Sequence, residues 1–212
     1  MTHTHLKMIK CCSIKNNTIY IDHQTVYHTT EESFDSFIEL AYRNFKFNYP
    51  KFFKMDRLAK LGFIAAEFLL QDQSLLSRYA QDKIGLILAN QSSSLNTDLK
   101  YADLMHQGIP SPATFVYTLP NIVNGEICIR HGIKGENTFF ISDDFEISTQ
   151  VDYIISLFHE HHIDACIGGW VELLDNQYEC FMYLVEANQD LTVPEFSINN
   201  IQNNYYKSQS YA

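Results

Sequence analysis

Hydrophobic positions along this chain follow two rhythms. Phe34, Phe37, Ile38, Ala41 and Phe45 recur every three or four residues, which is one face of a helix. Thr29-Thr30-Glu31-Glu32 just ahead of them fits a capping box, with the Thr29 hydroxyl bonding toward the Glu32 N–H. Asn48-Tyr49-Pro50 interrupts the pattern, because proline disfavours the helical conformation in the residue before it. A second helix is predicted from about Met55 to Leu70, with Met55, Leu58, Ala59, Gly62, Ala65, Ala66 and Leu69 inward and its small residues permitting close packing on a sheet. Residues 84–89 form instead a continuous apolar run of strand length, as expected of a parallel strand covered on both faces. After Gly135 the alternation repeats, with strands at 138–142, 163–168 and about 179–186 and a helix at about 144–161. Residues 1–18 are polar with scattered His, and a short strand is expected at 18–22. Residues 194–212 hold Asn, Gln, Ser and Tyr with few aliphatics, which predicts a flexible tail behind a domain spanning 1–193.

Composition narrows the class. At 212 residues and 46% hydrophobic, the chain is long enough for one domain that buries roughly 70% of its unfolded surface. A net charge of −10 argues against nucleic acid, whose non-specific binding depends on cations neutralising phosphates. It also argues against a broad basic docking surface, although Lys46, Lys51, Lys54, Arg57 and Lys60 form a local cluster. The five cysteines (Cys11, Cys12, Cys128, Cys166 and Cys180) are odd in number, sit mostly in apolar runs, and read as free thiols of a reducing cytoplasm. No apolar run approaches 18 residues, so no membrane span is expected.

Three segments carry a resemblance. Residues 112–137, from Pro112-Ala113-Thr114-Phe115 through Leu119-Pro120-Asn121 and Arg130-His131-Gly132 to Gly135-Glu136-Asn137, resemble the β-ketoacyl-acyl carrier protein synthases. Lys54-Met55-Asp56-Arg57-Leu58 is similar to the family's Met-Asp-Arg helix, and Ile163-Asp164-Ala165-Cys166-Ile167-Gly168-Gly169 to its strand closing in Gly-Gly. The resemblance implies an α/β fold, the N-terminal half of a thiolase-like enzyme: a mixed five-stranded sheet with flanking helices. The family's reactive Cys lies nine residues after the Gly of its Gly-x-Asn turn. Gly135 plus nine is Asp144, and counting back from Gly168-Gly169 gives Asp143 or Asp144. No Cys occurs between Cys128 and Cys166. The family's two catalytic His belong to His-Gly-Thr and Asn-Ser-Phe-Gly motifs, and neither occurs here.

Catalytic residues are therefore expected to be absent, with Asp143 and Asp144 at a vestigial nucleophile position. Phe115, Asn121, Ser142 and Phe145 are expected to line what remains of the pocket, and Trp170 to fill space that would otherwise be an acyl tunnel. Ser142-Asp143-Asp144 also suits a helix N-cap, where carboxylates meet backbone N–H groups and the positive end of the dipole. His159-Glu160-His161-His162 has the wrong spacing for one helical face, so a solvated helix end is preferred over a metal site. No metal or cofactor is expected.

The resemblance implies a non-catalytic ketosynthase-like subunit of fatty-acid-like or aryl-polyene and flexirubin-type biosynthesis. Its partner would be a catalytic ketosynthase or a second copy, with an acyl carrier protein in addition. Thr138, Phe139, Phe140 and Ile141 would form the dimer contact, and a second apolar face is expected where the missing half would pack. The alternatives are a stand-alone acyl or acyl-carrier binding module, or an acyl-transfer or thioester-hydrolysing enzyme using Asp143 or Asp144.

Overall fold

The computed structural model describes residues 5–30, 33–71 and 75–210. It is an α/β protein built on one mixed sheet. In chain order the elements are β1 (Leu6–Lys15), β2 (Thr18–Ile21), β3 (Gln24–His28), α1 (Phe34–Asn44), α2 (Arg57–Leu70), α3 (Leu75–Arg78), β4 (Ile84–Asn90) and α4 (Leu95–His106). They continue with α5 (Pro112–Val116), α6 (Ile122–His131), β5 (Asn137–Ile141), α7 (Ile147–His159), β6 (Ala165–Leu174), β7 (Gln177–Ala187) and α8 (Ile198–Gln209).

The sheet has seven strands, not five, in the order β3-β2-β1-β7-β6-β4-β5. β4 runs parallel to both β5 and β6, and the other neighbours are antiparallel. The two unforeseen strands are β1 and β3. β1 hides in the sequence because its lysines look like surface residues, yet Lys7 is buried beside Glu195 and the Lys10 ammonium donates to the Phe68 and Gln71 carbonyls. Paired turns at Asn16-Asn17 and Asp22-His23, all four at positive φ, fold β1, β2 and β3 into a meander.

Two layers of helices enclose the sheet. α1, α2 and α6 pack on one face against Ile14, Leu86, Leu88, Val171 and Met182. α7 and α8 cover the other, over Ile87, Trp170, Phe181, Tyr183 and Val185. Every residue of β4 is buried, as its apolar run anticipated. Gly62 lets α6 approach α2: a Cβ there would lie 2.4 Å from Val123 Cγ1.

Two local expectations need correction. Helix α1 begins at Phe34 and its cap is Ser33, whose hydroxyl accepts from the Ser36 N–H, while Thr29 lies ahead of it. Glu31 and Glu32 fall outside the described residues. Residues 194–210, the described part of the expected tail, are packed on the domain. They carry α8, capped by Ser197 and fastened by the buried Phe196 and Ile201, with the Tyr205 hydroxyl donating to Glu179. Three apolar anchors suffice there because the polar residues between them find partners, such as Asn204 with His23 and Gln209 with Lys15.

Candidate functional site

The turn from β5 into α7 occupies the C-terminal end of the parallel strands, where open α/β sheets place their ligands. Asp143 and Asp144 are both exposed in it. Neither caps the helix: α7 starts at Ile147, Glu146 stands at the N-cap, and no side chain bonds to the first turn. The turn is closed by Ser142, whose hydroxyl donates to the Asp144 carbonyl at 2.7 Å, and by the Ser142 N–H, which donates to the Asn90 carbonyl.

The four expected pocket residues do not converge. Ser142 lines a cavity of about 160 Å³ with Ala89, Phe140, Ile141, Thr149 and Gln150. Phe145 turns inward, packing against Trp170, Phe181 and Tyr205. Trp170, 3% exposed, fills the sheet face beside it. Phe115 lies on α5, 56% exposed and against Tyr101, and Asn121 is exposed at the start of α6.

None of the five thiols has a thiolate-stabilising environment. Burial raises Cys12, Cys166 and Cys180 far above the ordinary thiol range. Burial with the nearby Asp22 carboxylate pushes Cys11 up to about 12, and burial takes Cys128 to about 11 despite an N–H donated by Asn137. Around His159 and His162, as elsewhere among the described residues, no three His, Cys, Asp or Glu side chains are grouped to hold a metal.

β5 is an edge strand with one side of its backbone unpaired. Its two phenylalanines are not the exposed apolar surface expected of them. Phe139 packs into the layer of α2 and α6, and Phe140 meets Tyr153 of α7 edge-on at 5.6 Å. Successive strand residues point to opposite faces, and here both faces are covered. The outward residue is Ile141, 51% exposed.

The apolar surface that sequence reading missed lies on α4 and α5. Leu95, Leu99 and Ala102 fall at i, i+4 and i+7, one helical face, and that face points to solvent. Met105, Ile109, Phe115, Val116 and Leu119 extend it, all half exposed. The periodicity was legible once a helix was granted there, but the serines of Gln91-Ser92-Ser93-Ser94 disguise the segment as a solvated loop. Those residues do form a turn: the Gln91 and Ser92 N–H groups donate to Glu172, and Asn90 and Ser93 bond each other.

No family model and no curated protein sequence matches the chain. Solved structures do. An ishigamide ketosynthase/chain length factor superposes with a TM-score of 0.65 at 15% identity, over 90% of this chain and 64% of that one. A chain of the ketosynthase ApeO in complex with its chain length factor ApeC, from Xenorhabdus doucetiae, gives 0.60 at 12% identity over 98% and 92%. A β-ketoacyl synthase from Burkholderia phymatum gives 0.60 at 10% identity over 88% and 60%. This chain thus spans less than two thirds of the first and third, and nearly all of the second. Its fold is the thiolase-like α/β fold of ketosynthases, with a mixed sheet flanked by helices.

Proposed function

We propose that this chain is a non-catalytic ketosynthase-like subunit that pairs with a catalytic ketosynthase in polyketide or fatty-acid-like synthesis, of aryl-polyene or flexirubin type, in a structural or chain-length role. The observation that carries this reading is the solvent-facing apolar stripe of α4 and α5 in a chain that also presents the free edge of β5. Seven large apolar side chains within 25 residues, each 42–56% exposed, face solvent there. Apolar side chains gathered in one stretch of surface mark an interaction site where singly scattered ones do not. A ketosynthase partner is supported by the structural neighbours, two of which are named as ketosynthase with chain length factor. A non-catalytic role is supported by the sequence count, which puts Asp143 or Asp144 where the resembling family carries its Cys, and by burial that raises the pKa of all five thiols.

The test is association together with turnover. The purified chain should migrate as a complex, either with itself or with a catalytic ketosynthase from the same organism. Leu99→Lys and Ile141→Lys should abolish the complex without lowering the melting temperature. Phe140→Lys is the wrong probe, since that ring packs inside the chain. Alone, the chain should not condense acyl and malonyl carrier substrates, and Asp144→Cys should not change this. A monomer that ignores the ketosynthase at micromolar concentration, or condensation above a no-enzyme control, would overturn the reading.

A further inference from the structure

The register between the last two strands sets two carboxylates side by side. Glu172 of β6 stands directly opposite Glu179 of β7. Their chain neighbours Val171, Leu173 and Cys180 belong to the layer of α1, α2 and α6, so by strand alternation both acids point to the other face. Like charges at paired positions of a sheet repel, and holding them there costs stability. Lys15, at the end of β1, is the cation beside them. Its ammonium lies 4.0 Å from Glu179 and donates to the Gln209 amide oxygen at 2.6 Å. Two carboxylates against one ammonium leave a negative charge over in this row.

The same three side chains line a cleft of about 470 Å³ at the C-terminal end of the parallel strands β4 and β6, where α/β sheets take their ligands. The turn after β4 and the β6–β7 hairpin complete it with Gln91, Ser92, Asn176 and Gln177. Both carboxylates are held in place. Glu172 Oε2 accepts the Gln91 and Ser92 N–H groups at 2.7 and 3.0 Å, and Glu179 Oε1 accepts the Tyr205 hydroxyl at 3.0 Å. Glu172 Oε1 is shielded from solvent and, among the described residues, has no hydrogen-bond partner. A fixed pair of like charges with an oxygen left over suits a ligand that brings positive charge together with several donors. The amide oxygens of Asn176 and Gln177 add further acceptors at the cleft. A primary ammonium, with one charge and three N–H donors, meets both demands. A metal ion does not. Among the described residues no third acid, His or Cys joins the pair, and a lysine and two N–H donors already stand against its carboxylates.

We propose that this cleft binds the primary ammonium group of a small amine, held between Glu172 and Glu179. The inference does not depend on pairing with a ketosynthase, so the association test above and the binding test below fail separately.

The full chain is titrated at low ionic strength with n-butylamine, with its neutral counterpart n-butanol and with calcium chloride, and binding is read by calorimetry. Butylamine should saturate a single site per chain, and butanol should not bind. Glu172→Gln and Glu179→Gln should each weaken butylamine binding about tenfold, because the amide keeps an oxygen acceptor and removes the charge. Glu160→Gln, at an exposed acid outside the cleft, should leave it unchanged. Without amine, both cleft variants should melt at or above the temperature of the unsubstituted chain, since the repulsion between the acids is gone. The proposal fails if butylamine does not saturate, if butanol binds as well, or if calcium binds and butylamine does not. It fails equally if Glu160→Gln weakens binding as much as the cleft variants, which would mark attraction to the net charge of −10. Both cleft variants melting below the unsubstituted chain would make the acid pair a structural feature and overturn the reading too.

Discussion

Gly168 is bare because Tyr183 occupies its space: a Cβ there would lie 2.5 Å from the tyrosine ring. That ring sends its hydroxyl to Gln150 Oε1, and Gln150 Nε2 donates to the Gly169 carbonyl at 3.0 Å, fastening α7 to the sheet through fully buried polar groups. The Gly-Gly signature thus has a packing cause in this chain. A second buried polar cluster makes stability depend on pH. Burial alone would raise the Glu67 pKa, but the His131 imidazole 3.2 Å away and the Arg130 guanidinium, which donates two hydrogen bonds, outweigh it and hold the carboxyl below its ordinary value. An acid whose pKa is lowered by folding contributes stability that is present above the unfolded-state pKa and is lost as pH falls through the folded one. Glu67→Gln should therefore cost about 2–3 kcal/mol at neutral pH, since it leaves a partly buried guanidinium unpaired. It should also flatten the acid limb of the stability curve. Denaturant unfolding at pH 7 and at pH 4 reads both effects, and an equal loss at the two pH values would show that Glu67 acts only by packing.

Besides α4, the sequence disguised α8. Ile201 is fully buried, and its neighbours Phe196 and Tyr205 pack into the same layer as α7. Ile201→Ala should destabilise the chain by about 3 kcal/mol and open residues 194–210 to protease first. Cleavage elsewhere before the tail is cut would mean that α8 docks more firmly than its few apolar anchors suggest. Elements such as α2, β4 and α7 were legible because their apolar runs are long and match one period. α8 was not, because its fastening is mostly polar and reaches distant partners, such as Lys15 and His23, that no local pattern reveals. β1 failed for a related reason: Lys7 and Lys10 bury their stems, so burial and polarity disagree. At the candidate site the position of the β5–α7 turn followed from counting residues. The inward rotation of Phe145 and the exposure of Phe115 depend on packing that spacing does not encode.

For the whole molecule, the two helical layers differ in what they present to solvent. Sequence reasoning expected a second apolar face where another half-fold would pack, and α7 presents none to solvent. The outward residues of α7 are Ser148, Thr149, Asp152, Ser156 and His159, with Ser148, Asp152, Ser156 and His159 along one polar stripe, and α8 covers the apolar sheet surface beside it. Exposed large apolar side chains are most numerous on α4 and α5, with Ile129 of α6, Ile141 of β5, Leu76 of α3, Leu191, and Tyr206 of α8 among the others. If association is driven by removing apolar area from water, it must use these positions and leave α7 wet. Two double variants separate the alternatives. Ser148→Lys with Ser156→Lys places two charges on the polar stripe and should leave the sedimentation coefficient of the complex unchanged. Leu99→Lys with Phe115→Lys places two on the apolar surface and should shift it to that of the single chain. Because all four positions are exposed or half exposed, both variants should keep their melting temperatures within about 1 kcal/mol of equivalent stability. Dissociation by the α7 pair, with the α4–α5 pair still associated, would put the partner on the polar layer and reverse the assignment of faces.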